Sequence, residues 1–152
     1  MSLHVSNLVT KTNQSLYALR VLRSHGLAGS QLHSVCRAYI ENRLGYAISA
    51  WGGFASLKDK DKLQKLLNRA YRRGLSGNAP LPSIQTITDK ADRILFHKVI
   101  VNPSHVLHNL LPPERPNATK SLRERPHNLQ LSAATNQIRR NFIHRMLFLD
   151  AY

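Results

Sequence analysis

Apolar residues recur at helical spacing along most of the chain, and no stretch alternates at the two-residue spacing of a β-strand. The first such stretch predicts a helix from about Leu3 to His25, which the segment from Gly26 to Gly29 ends. Its apolar stripe consists of Val5, Leu8, Val9, Leu16, Leu19 and Leu22.

The second stretch is more regular and predicts one long helix. Ser30 is a suitable N-cap, and Gly52 and Gly53 end the pattern. About twenty residues at 1.5 Å each give a rod of roughly 30 Å. The stripe consists of Leu32, Val35, Cys36, Tyr39, Ile40, Leu44, Ala47, Ile48 and Trp51.

A third helix is predicted from Ser56 to Gly74. Ser56 and Asp59 have the spacing of a capping box, and Gly74 is a typical C-terminal stop. The inward residues are Leu63, Leu66, Leu67, Ala70 and Tyr71. Three amphipathic helices joined by short turns predict an all-α fold with an antiparallel three-helix bundle over residues 1–77.

The next segment, residues 78–113, predicts a helical extension of the bundle. Its main helix is capped by Ser83 and ends before Asn102, because the residue that precedes a proline is pushed out of the α region. A short helix from Ser104 to Leu111 follows. The stripe of the main helix is Ile84, Ile87, Ala91, Ile94, Leu95 and Val99.

Residues 114–152 predict a basic tail. No period is visible from Glu114 to about Asn136, which indicates an extended tether. The stretch from Ile138 to Leu149 returns to helical spacing and predicts a short final helix. Its arginines, Arg139, Arg140 and Arg145, are candidates for nonspecific RNA contacts, and its apolar residues, Phe142, Ile143, Met146 and Leu147, are expected to dock the helix.

The charge of the chain points to a polyanionic partner. Its 152 residues include 22 Lys and Arg against 8 Asp and Glu, a net charge of +14. Residues 56–75 are the densest part, and a helical projection places six cations within an arc of about 100°. We call these six the basic ridge: Lys58, Lys62, Lys65, Arg69, Arg72 and Arg73. An ordinary solvated helix face is the alternative interpretation.

The first predicted helix carries a different surface on its non-core side. It is mostly uncharged, rich in hydrogen-bonding groups and suited to a nucleic-acid minor groove, although an ordinary solvent face explains the spacing as well. We call it the neutral face: Thr10, Asn13, Gln14, Tyr17, Arg20, Val21 and Ser24.

The acidic residues do not have the spacing of a catalytic metal site. Two-metal nucleotidyl transfer needs carboxylates that converge on two ions. Asp59 and Asp61 diverge by about 200° on a helix. Asp89 precedes Arg93 by four residues, a spacing that favours a surface ion pair. We therefore expect no catalytic residue and no cofactor in this chain.

The remaining reactive side chains also favour structural roles. His105 and His108 have a metal-compatible spacing that is more typical of capping and packing in a short helix. Cys36 lies in an apolar stripe, which favours a buried thiol, and a single cysteine excludes an internal disulfide. No stretch is apolar and long enough for a membrane span. Neither a membrane nor a small-molecule substrate is expected as a partner.

Six segments together resemble the C-terminal region of reverse transcriptases from non-LTR retrotransposons of the jockey type, in the order that the family has them. The similarity extends over essentially the whole chain. The segments are KTNQSLYALRVLRSHGL (residues 11–27), GYAISAWGGF (45–54), LNRAYRRG (67–74), NPSHVLHNLLPP (102–113), LRERPHN (122–128) and NFIHRMLFLDAY (141–152).

The resemblance implies a polymerase thumb, which grips the template-primer duplex, followed by a downstream segment. In that family the catalytic aspartates and their Mg²⁺ belong to an upstream palm with a Tyr-x-Asp-Asp type motif, which this sequence lacks. The implied partners are RNA, DNA or an RNA/DNA hybrid and the remainder of a polymerase, in an intracellular protein that is nuclear with a cytoplasmic phase. The alternative is a transposon-derived helical remnant that acts, if at all, as a structural or interaction protein.

The sequence departs from the family in two places. Between Tyr46 and Phe54 family members tend to have a proline and a second tryptophan, where this chain has Ile48-Ser49 and Gly52. At residues 123–125 it has Arg-Glu-Arg in place of Arg-Pro-Arg.

Overall fold

The computed structural model describes residues 1–115, 127–131 and 135–149. Within these ranges the chain forms six α-helices and three 3-10 turns, with no β-strand, which confirms the all-α prediction. Two compact units divide the chain at Lys90 and Ala91. This division does not coincide with the predicted boundaries after residues 77 and 113. None of the described helices is both long and apolar enough to cross a membrane.

The first unit contains α1 (Ser2–Ser24), α2 (Gly29–Gly45) and α4 (Leu57–Arg72), and α1 packs against both α2 and α4. Most apolar stripe residues of the three helices are buried, as the helical spacing predicts, whereas Leu22 and Val35 are half exposed. The core residues of these helices with almost no exposed surface are Val5, Leu16, Leu32, Ile40, Leu44, Leu63 and Leu67.

The second predicted helix is broken, which corrects the prediction of one continuous rod. It begins after Ala28, not at a Ser30 cap, and α2 ends at Gly45. Ala47 has a left-handed backbone (φ 50°, ψ 24°), and the short helix α3 (Ile48–Trp51) follows it. The buried indole of Trp51 donates to the Tyr46 carbonyl oxygen (3.1 Å), so the break supplies the partner that a buried tryptophan N–H requires.

Helix α5 (Ile84–Val101) has the predicted limits. Ser83 caps it by accepting a hydrogen bond from the Thr86 backbone N–H (3.0 Å). Its buried side runs along Thr88, Asp92, Phe96 and Val99, so that Ile94 of the predicted stripe is half exposed.

The predicted helix from Ser104 to Leu111 is a series of turns with one 3-10 turn, His108–Leu110. The Asn102 side chain accepts from the Ser104 N–H (3.0 Å), and His105 Nδ1 accepts from the Leu107 N–H (3.1 Å). These local side-chain bonds to the backbone stabilise turns, which compete with a continuous helix.

The second unit has its own core. It consists of Phe96, Val99, Phe142, Ile143, Met146 and Leu147. Four of these residues belong to α6 (Phe142–Leu147), which confirms that the last helix docks through its apolar residues. The helix is shorter than predicted because Asn141 interrupts the pattern and caps it, accepting from the Ile143 N–H (3.1 Å).

Part of the predicted tether is packed, which corrects that prediction for residues 127–131. Glu114 forms an isolated antiparallel bridge with Leu129, and the Arg115 N–H donates to the Asn128 carbonyl oxygen (2.9 Å). Leu129 and Leu131, two residues apart on an extended segment, both pack against the core of the second unit. Residues 116–126 and 132–134 of the predicted tether lie outside the described residues.

Candidate nucleic-acid interface

The N-terminus of α4 is fixed by a buried acidic residue. Ser56 caps the helix, accepting from the Asp59 N–H (3.1 Å), as the capping-box pattern predicted. The Asp59 carboxylate accepts in turn from the hydroxyls of Ser56 (2.9 Å) and Ser2 (3.2 Å) and lies 3.6 Å from Lys62 Nζ. The hydrogen bond from Ser56 is the main cause that lowers the pKa of Asp59, so this carboxylate stays ionised and joins the start of α4 to the start of α1.

Ser56→Ala is expected to lower the free energy of unfolding by about 1 kcal/mol at pH 7, because the helix loses its N-cap. The lowered pKa of Asp59 adds stability that is present above the usual value of 3.8 and is lost as the pH falls through the lower folded-state pKa. The difference in the free energy of unfolding between wild type and Ser56→Ala should therefore be smaller in strong acid. Urea unfolding at pH 7 and at pH 2.5 measures both effects.

Ser6→Ala is a matched control, since Ser6 is exposed on α1. It should change the free energy of unfolding by less than about 0.5 kcal/mol at either pH. An equal cost of Ser56→Ala at both pH values would contradict the role given to Asp59.

The basic ridge lies in solvent along α4. All six of its side chains are exposed, whereas the opposing side of the helix buries Leu63, Leu66, Leu67 and Ala70. Tyr71, at the end of the predicted stripe, is partly exposed. The ridge runs from Lys58, in the first turn, to Arg73, which is the C-cap residue.

The ridge and the neutral face adjoin each other. Arg69 donates to the side-chain oxygen of Asn13 (3.0 Å), and the Arg23 guanidinium donates to the Arg73 backbone oxygen (2.8 Å). These bonds join α1 to α4 at two points, fifty or more residues apart in sequence. The two predicted surfaces therefore form one continuous surface of the first unit.

The neutral face is only partly free for a ligand. Gln14, Tyr17 and Arg20 are exposed, and Tyr17 as a whole residue is 66% exposed. Asn13 is half-buried, and its oxygen is occupied by Arg69, so it acts as the link between the helices and is not a free base-contacting group.

A shallow depression of about 350 Å³ extends the neutral face toward the C-terminal end of α1. Its lining residues are Tyr17, Arg20, Val21, Arg23 and Ser24. Arg23 was not among the predicted site residues. Its position three residues after Arg20, on the last turn of the helix, is the signal that identifies it.

The C-terminal arginines do not share one role. Arg145, expected to contact RNA, instead donates to the buried Asp92 carboxylate at 2.6 and 2.9 Å. The Arg139 guanidinium lies 4.7 Å from the centre of the Phe148 ring. Packing within the second unit explains both side chains without a ligand.

The two buried carboxylates are held by hydrogen bonds from neighbouring side chains. Asp59 accepts from Ser56 and Ser2, and Asp92 accepts from Arg145. Among the described residues, no three side chains of the types that bind metals come together. His105 caps a turn, and His108 Nδ1 lies 2.8 Å from the Val99 carbonyl oxygen.

The thiol of Cys36 is also unsuited to chemistry. The side chain is buried, and burial raises its pKa from 9.0 to about 11, although the nearby Arg37 acts in the opposite direction. A thiolate nucleophile would need the reverse shift.

The surface of α1 and α4 is thus the strongest candidate site that the described residues contain. It combines six exposed cations with an adjoining, mostly uncharged face. Comparison with protein-family models, with curated proteins and with solved structures finds no match to this chain.

Proposed function

We propose that this chain binds duplex nucleic acid as the thumb and downstream segment of a retrotransposon RNA-directed DNA polymerase. The observation that carries the proposal is the exposed basic ridge on α4, continuous with the neutral face of α1 through the bond between Arg69 and Asn13. Asp59, its nearest buried acid, neutralises at most the first turn of the ridge, through Lys62.

The ridge suits a partner whose sequence changes as it moves. Lysine and arginine bind phosphates whatever the base, and phosphate contacts position a duplex without reading it. The hydroxyl of Tyr17 and the amide of Gln14 offer donors to base edges and sugar hydroxyls in the minor groove of an RNA/DNA hybrid.

In this proposal α1, α2 and α4 form the antiparallel three-helix bundle of the thumb. The polymerase chemistry and its Mg²⁺ belong to a palm outside this chain, so the chain does not catalyse by itself. The protein then works where the RNA template and the target DNA meet, in the nucleus after a cytoplasmic phase. A transposon-derived remnant without retained activity is the competing outcome.

The affinity of the chain for an RNA/DNA hybrid, measured at 50 and 200 mM salt, tests the proposal. We expect a steep salt dependence, with a slope of log K against log salt near −0.9 for each phosphate contact. A peptide of the same composition in scrambled order is the control. Hybrid affinity no higher than that of the peptide would favour the remnant.

A further inference from the structure

A second surface of the first unit lies between α1 and α2, on a different side of α1 from the neutral face. It is a groove of about 820 Å³. Apolar side chains, among them Leu8 and the half-exposed Val35, form part of its lining. Its polar and aromatic members are His4, Asn7, Lys11, Tyr39, Asn42, Arg43 and Tyr46.

Tyr46 presents an aromatic ring to solvent from a fixed backbone. Its side chain is 80% exposed, whereas its carbonyl oxygen accepts from the buried Trp51 indole (3.1 Å). The next residue, Ala47, adopts a left-handed conformation that residues with a Cβ rarely take. Backbone strain of this kind is frequent at functional sites, and the Tyr46 residue beside it lines the groove.

Besides the Tyr46 ring, the groove contains the planar side-chain groups of Tyr39 and Arg43. The Arg43 guanidinium lies over the Tyr39 ring, 5.2 Å from its centre. The Tyr39 hydroxyl is held by a hydrogen bond with Ser15 (2.7 Å). A guanidinium plane is a surface on which a nucleobase can stack, and the Tyr39 ring beside it adds a second such surface.

The charge of the groove has one sign. Lys11 and Arg43 contribute two cations, and the lining residues that the structure describes include no aspartate or glutamate. Lys11 is exposed on α1, and Arg43 lies across the groove on α2. Phosphates of a strand lying in the groove would therefore meet positive charge from both helices.

We infer that this groove binds single-stranded RNA or DNA, with an unpaired base stacked on Tyr46 or Arg43 and a phosphate at Lys11. Stacking requires a base with a free face, which a base inside a duplex does not have. The basic ridge, in contrast, requires only a continuous line of phosphates. The inference shares with the proposed function only the class of partner, since its residues are separate from the ridge.

Fluorescence anisotropy with the whole chain and a labelled 12-nucleotide oligouridylate tests the inference. Tyr46→Ala is expected to weaken single-strand binding about tenfold, the loss of one stacked base, and hybrid binding by less than twofold. Tyr46→Phe keeps the ring and should retain single-strand affinity. A 2-aminopurine placed in the strand should be quenched by the wild-type chain and less by Tyr46→Ala.

Two controls keep the outcomes distinct. The exposed Lys11→Gln tests the groove without touching the helix break, and thermal unfolding reports whether Tyr46→Ala is folded. Unchanged single-strand affinity in folded Tyr46→Ala and in Lys11→Gln overturns the inference. The inference is also overturned if the chain self-associates, and if Tyr46→Ala abolishes this self-association without changing the single-strand affinity.

The inference and the proposed function can fail separately. A tenfold loss with Tyr46→Ala in a chain that shows no preference for the hybrid would support the groove and oppose the duplex-binding ridge. Hybrid binding that depends on the basic ridge, together with unchanged single-strand affinity in Tyr46→Ala, would support the ridge and oppose the groove.

Discussion

Glutamine at four positions of the basic ridge is expected to weaken binding to an RNA/DNA hybrid by roughly three decades at 0.1 M salt. The positions are Lys62, Lys65, Arg69 and Arg72, all exposed on α4. Each lost phosphate contact should flatten the slope of log K against log salt by about 0.9, so Lys65, Arg69 and Arg72 together account for about 2.7, and Lys62, which is paired with Asp59, adds a smaller share. Binding isotherms between 50 and 200 mM salt measure both quantities.

Loss of positive charge outside the basic ridge should change the salt dependence of hybrid binding much less. Lys90→Gln with Lys98→Gln removes two exposed cations from α5, and we expect it to change the slope by less than about 0.5. Lys65→Gln with Arg69→Gln is the matched pair on the ridge, with an expected change of about 1.8. Equal effects of the two pairs would mean that net charge, and not the ridge, accounts for binding.

Arg145→Ala is expected to lower the free energy of unfolding by about 3 kcal/mol. Asp92 is 3% exposed, and Arg145 donates two hydrogen bonds to one of its carboxylate oxygens. The other oxygen of Asp92 is buried without a hydrogen-bond partner among the described residues. Removal of the guanidinium would leave a buried carboxylate unpaired, which is more costly than the loss of an exposed pair. Urea unfolding followed by circular dichroism measures the change.

Arg140→Ala is the control for this variant. Arg140 is exposed and contributes only its backbone carbonyl oxygen to the Arg145 guanidinium (2.9 Å), which the substitution keeps. Asp92→Leu combined with Arg145→Met should recover most of the lost stability, because the buried charge is removed together with its partner. A cost of Arg145→Ala below about 1 kcal/mol would show that water, not Arg145, compensates Asp92.

Local signals in the sequence predicted the helices that begin and end at clear boundaries. Ser56 and Ser83 cap the helices that follow them, and α5 ends just before Asn102-Pro103. The break at Ala47 could not be predicted in this way. Apolar residues stay at helical spacing from Leu44 to Trp51, and this spacing carries no signal for the local hydrogen bond from the Trp51 indole to the Tyr46 carbonyl oxygen that accompanies the break.

The same limit applies to the candidate site. Projection of one helix is enough to predict the ridge, because its members are close in sequence. It cannot show that Asn13 meets Arg69, or that Arg145 reaches Asp92, since these partners are separated by 56 and 53 residues. Both pairings changed the interpretation of a predicted contact residue: Asn13 became a link between helices, and Arg145 became part of a core.

The length of α4 limits the length of duplex that this helix could contact. Its 16 residues span about 24 Å, which equals about seven base pairs at 3.4 Å each. Seven pairs are less than one turn of a double helix, so in the proposed function α4 would contact one face of the duplex. Contacts on one face can break and form again one nucleotide further along.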